Sequence, residues 1–521
     1  MIRRASRKVG CFILAVLLLT GLAAGCRLDE TPTFPALETT KSVKPDPGGE
    51  TLPKNPEATA PAQLKAALPI SQTGLDAARL LFLAKQSGLL NLEPGQTIGL
   101  QVQIDDLRQF DDGSTIDLLP VPISTGATVD QIRIWKNADD LPDIIYTLSA
   151  ADLAGLLPVR NLEQEMYNQP LLSAGHVNMP ALASVSLQGS LIGIPWLAST
   201  PILVINQQVA DKLKLVIPDE NWTWDSWLDF FKAAQVALAE AELLASPEIL
   251  AEFAEDQTAL EARLSGALFV MNDPTSILCF LPAAFDAKAD WAAWNGEAFA
   301  LDHPAFRQAV AWLREGHIAD GTVLQLSDEQ RQLVFSGQDP DQSGRTLMWL
   351  TDSAVFAEQR QNLPPNLLIR LLPSAFSQQE DKGNRQSAPL FLTGRALVVN
   401  KQSKAPQMAA QLASFIALDV DALLMQSRFS SDTGQMPLVY HSEAWQALIQ
   451  NPFSQGLLAD FSNRFPDACF SSQQTTANWF KAMQEMFSAF GPSLLGTADD
   501  NEIDRVIDAM ETTSVAILKG G

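Results

Sequence analysis

Gly189-Ser190-Leu191-Ile192-Gly193-Ile194-Pro195-Trp196, then Leu197-Ala198-Ser199-Thr200-Pro201, then Ile202-Leu203-Val204-Ile205-Asn206, is the stretch on which the fold turns. Leu191–Pro195 and Ile202–Ile205 are short apolar runs that read as strands. Downstream, Thr223 suits the N-cap of a helix in which Trp224, Trp227, Leu228 and Phe231 share one apolar face. Asp302-His303-Pro304 opens a further helix, with Phe306, Val310 and Leu313 inward and Gly316 as its stop. Upstream, Ala77–Leu89 reads as a helix, Thr97–Ile104 as a strand, and Asp143-Ile144-Ile145-Tyr146 as a short buried strand behind Pro142. Leu347–Leu350 and Ala396–Val399 read as strands, and Met408, Leu412, Phe415 and Ile416 mark one face of a helix around Pro406. Inserted helices are expected over Val236–Leu264, and the C-terminal third is helical, ending in Asn501–Leu518. Short apolar runs alternating with amphipathic helices imply an α/β architecture.

The chain has 521 residues, enough at ~100–200 residues per domain for about three domains or one large multi-lobed body. Lys and Arg number 36 against 60 Asp and Glu, a net charge of −24. So acidic a body repels phosphates, which argues against nucleic-acid partners. Four Cys and four His exclude a disulfide-rich scaffold and disfavour a zinc framework.

The N-terminus reads as an export signal over residues 1–25. Arg3, Arg4, Arg7 and Lys8 precede the apolar run Val9–Leu19 and the small residues leading to Cys26. Leu22-Ala23-Ala24-Gly25-Cys26 resembles a bacterial lipobox, although Ala23 stands where Leu is usual; the resemblance implies that Cys26 is lipidated and becomes the mature N-terminus. An ordinary signal peptide or an uncleaved anchor is the alternative. Residues 26–64 carry Pro32, Pro35, Pro45, Pro47, Pro53, Pro56 and Pro61 among polar residues, a composition suited to a tether. No later stretch is long and apolar enough to span a bilayer.

No nucleophile elbow, His-Glu-x-x-His, phosphate loop or Gly-x-Gly-x-x-Gly is present, so no catalytic residue, metal ligand or cofactor is assigned. His176, His303, His317 and His441 are scattered and read as surface or capping residues. Asp499-Asp500-Asn501-Glu502 reads as a solvated helix start rather than a calcium loop. Paired acids such as Asp105-Asp106 and Asp139-Asp140 read as turn formers. Cys279 and Cys469 are as consistent with buried thiols as with a bridge.

Six segments, in order, resemble the extracellular solute-binding proteins of bacterial ABC importers, in the branch that mostly serves sugars. They are Leu141–Tyr146 with Leu156–Leu162, Gly189–Trp196 with Leu203–Asn206, Trp222–Trp227, Asp302–Gly321, Phe335-Ser336-Gly337 with Leu347-Met348-Trp349, and Gly394–Leu397 with Ser403–Pro406. The resemblance implies a two-lobed, periplasmic-binding-protein-like (type II) α/β fold with discontinuous lobes. Lobe one is expected at 65–200 and 390–438, lobe two at 204–388 and 439–521, with hinges near Ala198–Asn206 and Pro389–Thr393. It implies a lipid-anchored protein facing the extracellular or periplasmic side. Such a protein is a non-enzymatic monomer that captures a small solute, in this branch a carbohydrate, for the permease subunits of an importer. A sensory or structural lipoprotein that keeps the fold without transport is the alternative, with an exported hydrolase a more distant one.

Eleven Trp suit a sugar binder, because an indole stacks on the apolar face of a pyranose. Trp224, Trp227 and Trp312 read as core. Trp196 and Trp349 are the cleft candidates, with Ser199, Thr200 and Asp352 as hydrogen-bond partners. The site departs from the family's usual grip: Ala354 stands where a stacking Trp is common, and Thr147-Leu148-Ser149-Ala150 lacks the aromatic and the acid of some relatives.

Overall fold

The structure is a computed structural model describing residues 62–87, 99, 102–111, 116–122, 127–163, 179–219, 222–240, 256, 268–271, 274–316, 346–360, 363–376, 388–429, 434–439, 461, 464–496 and 499–520. The expected signal, Cys26, nearly all of the tether and most of the inserted helices after Glu240 lie outside the described residues.

Besides a small antiparallel pair, Ser186–Leu187 with Ser190–Leu191, the strands are β1 (Ala62–Leu68), β2 (Ile116–Pro122), β3 (Ile144–Thr147), β4 (Ile194–Ser199), β5 (Pro201–Asn206), β6 (Phe269–Met271), β7 (Thr346–Asp352), β8 (Leu367–Leu371), β9 (Phe391–Val399), β10 (Met436–Pro437) and β11 (Cys469–Phe470). The helices that matter below are α1 (Gln72–Gln86), α2 (Val129–Asn137), α3 (Ala150–Ala154), α4 (Trp224–Glu240), α5 (Pro304–Glu315), α6 (Ser353–Gln359), α7 (Pro406–Leu418), α8 (Val420–Phe429), α9 (Trp479–Leu495) and α10 (Asp500–Leu518).

The first sheet runs β10-β4-β9-β3-β1-β2, with β11 paired to β9. β1 is parallel to both β2 and β3, and β9 is antiparallel to β3 and β4. A strand's two-residue period sends alternate side chains to opposite faces. Accordingly Leu64, Ala66 and Leu68 of β1 join one core and Ala67 the other; Ile144 and Tyr146 of β3 divide from Ile145 in the same way. Helices α1, α7 and α8 cover one face, and α2 and α3 the other. Both faces are therefore dry, which is why these strands read as unbroken apolar runs.

The second sheet runs β8-β5-β7-β6. Leu203 and Ile205 face a core built with α4, α5, α9 and α10, while Ile202 and Val204 face a smaller core at the junction of the sheets. Trp224 and Trp227 pack edge-on at 6.1 Å within the larger core. Helix α5 begins with Pro304 after His303, whose Nδ1 accepts the Ala305 N–H at 3.2 Å, and Gly316 caps its end. His303 is thus a capping residue.

One expected element differs. Where described, Val102 and Gln103 have no regular structure, and Ile104 opens the 4-residue helix Ile104–Leu107 instead of ending a strand. Asp105 and Asp106 in its first turn favour a helix start. The parallel strands of this region are β1, which begins at Ala62 inside the expected tether, and β2. Among the described residues no single helix is long and apolar enough to cross a membrane; α7 and α8, apolar together, are bent by 71° and buried in the first sheet's core.

Candidate functional site

β1 and β3 are neighbours, yet the chain leaves their C-terminal ends toward opposite faces. Helix α1 follows β1 into one core and α3 follows β3 into the other. Such a divergence opens a crevice beyond the carboxyl ends of the strands, where open α/β sheets hold their ligands. Its border is Thr147-Leu148-Ser149-Ala150, the turn between β3 and α3.

Beside this crevice the chain passes from the first sheet to the second. A single residue, Thr200, separates β4 from β5. Its N–H donates to Ser353 Oγ at 3.1 Å, and its carbonyl accepts the Ser353 N–H at 2.9 Å. Ser353 Oγ in turn donates to the Gly434 carbonyl at 2.5 Å. Gly434 has φ of +62°, and a Cβ there would lie 2.0 Å from the Ser353 carbonyl oxygen, so this approach requires glycine. Three strand ends, near residues 200, 353 and 434, are knotted together.

A buried polar group sits on this knot. Arg395, in the middle of β9, donates from Nη1 to Ser199 Oγ at 2.6 Å. Ser199 Oγ donates to Asp352 Oδ2 at 2.5 Å, and Arg395 Nη2 lies 3.8 Å from Asp352 Oδ1. Asp352 also caps α6, accepting the Ala354 N–H at 2.9 Å. Tyr146 donates its hydroxyl to Gln435 Oε1 at 2.7 Å. Burial pushes the Tyr146 phenol up to about 12, with the nearby Arg395 cation opposing that rise and Asp352 adding to it. An Arg, a carboxylate and two hydroxyls from four strands, with the Gln435 carboxamide just before β10, thus meet where the sheets join, a set of donors and acceptors suited to a hydroxyl-rich solute.

Of the residues singled out by sequence, Ser199, Thr200 and Asp352 are brought together here. Trp196 is 1% exposed, packs edge-on against Tyr146 at 5.4 Å, and its Nε1 finds no acceptor among the described residues. Trp349 is half-buried, paired across strands with Val204 and packed in the junction core with Ile369 and Met436. Sequence reasoning did not single out Arg395, Tyr146 or Gln435 for this site. A cation inside the apolar run Phe391–Val399 was the one signal that could have found Arg395. Cys279 and Cys469 remain thiols; Cys469 Sγ donates to Asp290 Oδ1 at 2.5 Å. Burial raises the Asp290 carboxyl above its ordinary value, its hydrogen bonds from Cys469 and Trp291 opposing the rise.

Two α/β sheets joined at a narrow crossing, with a ligand crevice beside it, define a two-lobed binding protein of the type II periplasmic class. The sequence profile of the bacterial extracellular solute-binding protein family matches residues 109–452, and the chain belongs to that family. The fold is shared with a cyclic alpha-maltosyl-1,6-maltose binding protein of Arthrobacter globiformis (TM-score 0.57, 16% identity, covering 89% of this chain and 100% of that one). It is shared too with an ABC substrate-binding protein of Listeria monocytogenes in complex with cycloalternan (TM-score 0.55, 12% identity, 88% and 99%). A third similar structure is the GacH receptor of Streptomyces glaucescens, solved unliganded and with acarbose (TM-score 0.53, 12% identity, 88% and 99%). No match is found among curated protein sequences.

Proposed function

We propose that this protein is a lipid-anchored receptor that captures a carbohydrate outside the cell membrane and delivers it to the permease of an ABC importer. The observation that carries the reading is the polar group Ser199–Asp352–Arg395 with Tyr146–Gln435, set at the crossing of the two sheets beside the crevice of β1 and β3. Lobe one would comprise 65–200 and 390–438, lobe two 204–388 and 439–521, and Cys26 would carry the lipid behind its tether. The protein acts as a monomer and binds without catalysis. Asp352, a quarter exposed, and the half-buried Trp349 offer the solute a hydrogen-bonding edge and an apolar face, while Ser199 and Thr200 hold that edge in place. Trp196 supports Tyr146 from behind. Carbohydrate-binding structures of the same fold support the choice of solute class.

A thermal-shift screen over linear and cyclic glucans, acarbose and non-carbohydrate solutes tests the reading. A ligand at 100 times its dissociation constant stabilises by about 2.7 kcal/mol. The best hit should lose affinity in Trp349→Ala by about fivefold, a lost aromatic contact being worth about 1 kcal/mol. Stabilisation by a non-carbohydrate alone, or by nothing in the set, counts against the proposal.

A further inference from the structure

The crevice of β1 and β3 is bordered by a side chain from far along the sequence. Gln474 lies in the turn Ser472–Gln474, between β11 and α9. It is fully buried, and its carboxamide is saturated by backbone groups of the crevice. Nε2 donates to the Leu148 carbonyl at 2.7 Å and the Gly394 carbonyl at 2.8 Å, and Oε1 accepts the Ala150 N–H at 2.8 Å. The flanking contacts run the same way. Ser149 Oγ donates to the Gln473 carbonyl at 2.6 Å, and the Asn478 N–H donates to Asp152 Oδ1 at 2.9 Å. Before the turn Phe470 of β11 pairs with Leu392 of β9 and packs in the junction core; after it Trp479 packs in the core of the second sheet.

The turn thus leaves β11 at the edge of the first sheet and runs into α9 in the second sheet's core, and where it spans the junction it grips the turn after β3. Drawing α9 and this turn away from the β3–α3 turn breaks the bonds to Leu148, Ser149, Ala150 and Asp152, and Gln474 alone holds two of them, at 2.7 and 2.8 Å. We propose that Gln474 is a positioning residue that latches the two halves closed. Through the β3–α3 turn it sets how much of the protein is closed before any solute arrives. This deepens the capture reading, since closure is what retains a solute, and a protein already biased toward its closed form binds with less loss to conformational selection.

The test uses the ligand-free, full-length mature chain, so it stands or falls separately from the identity of the solute. Hydrogen exchange resolved at single amides reads the Ala150 N–H directly, with Ile144–Tyr146 of β3 as the internal reference for folding. In the parent, Ala150 should be protected. In Gln474→Met, which keeps the volume but loses every bond, Ala150 should exchange at least tenfold faster while β3 is unchanged, and small-angle scattering should show a larger radius of gyration. An Ala150 amide as fast as an unstructured one in the parent, or unaltered in the variant, overturns the latch. Should Gln474→Met lose protection in β3 as well, Gln474→Glu decides. Its ionised carboxylate faces the Leu148 and Gly394 carbonyls without a proton to donate, whereas its protonated form donates one. Scattering should then show an expanded form at pH 8 that compacts at pH 5, with the parent unchanged; equal dimensions at both pH values refute the proposal.

Discussion

Removing Asp352 should cost far more than removing Arg395, although the two face each other. The Arg395 side chain is 6% exposed, whereas that of Asp352 is 25% exposed. Among the described residues, Asp352→Ala leaves a guanidinium buried with only Ser199 Oγ and the Thr393 carbonyl, at 3.4 Å, to compensate it. Stranding a buried charge costs about 3–5 kcal/mol, here nearer the lower end because two acceptors remain. The same substitution removes the N-cap of α6, worth about 1 kcal/mol. Arg395→Met strands nothing comparable. Asp352 keeps the Ser199 and Ala354 donors and its share of water, so about 1 kcal/mol is expected. In the double variant the stranded cation is gone, and the loss should be about 2 kcal/mol, well short of additive. Urea unfolding at pH 7 of the parent, both single variants and the double variant gives the coupling energy, expected to be about 3 kcal/mol in magnitude. A coupling within about 0.5 kcal/mol of zero, or an Arg395→Met variant as unstable as Asp352→Ala, would falsify the claim that the carboxylate compensates the buried Arg.

Further expectations follow from single groups. Tyr146, with its phenol raised to about 12, favours the folded state fully below the ordinary tyrosine range and loses that contribution as pH climbs from about 10 toward 12; Tyr146→Phe should lose less stability over that window, by up to about 1.4 kcal/mol per pH unit in alkaline unfolding titrations. Asp290, raised by burial, favours folding most at low pH and loses that contribution as pH rises through its raised value; the stability of Asp290→Asn relative to the parent should therefore be greater at pH 7 than at pH 4. Trp227→Ala, at a fully buried ring packed against Trp224 and Phe231, should cost about 3–5 kcal/mol in the same unfolding assay. Cys26→Ser should release the protein from the membrane fraction of the producing cell, and unchanged fractionation would remove the lipid anchor from the proposal.

Strands β3, β5, β7 and β9, part of β4 and most long helices were legible in the sequence because their signals are local. Pro304 and Gly316 bracket α5, and Trp224, Trp227 and Phe231 repeat at helical spacing, so each element declares itself within a dozen residues. The C-terminal end of the strand expected at Thr97–Ile104 was misread for a physical reason. The described Val102 and Gln103 lead into a short helix with Asp105 and Asp106 in its first turn, and β1 was hidden because its Ala-rich sequence, Ala62–Leu68, follows directly on the Pro-rich segment. The site was legible only in its strand-end hydroxyls and acid. Ser199 and Asp352 lie 153 positions apart, Ser199 and Arg395 196 apart, and Ala150 and Gln474 324 apart. No periodicity reports such distances.

What the sequence did carry was a contradiction inside β9: a permanent cation at Arg395 among Phe391, Leu392, Ala396, Leu397, Val398 and Val399. A buried Arg is tolerated only where other segments bring it acceptors and an opposite charge. In a protein of alternating strands and helices, the place where segments from several parts of the chain converge is a crossing between sheets, and the strand ends nearest such a crossing are those that carry Ser199 and Asp352. The misfit residue therefore marks the convergence point before any coordinates are known. Of the groups that neutralise Arg395, Ser199 is 1% exposed and Asp352 a quarter exposed, so Asp352 is the one through which the proposed solute-binding face would reach water.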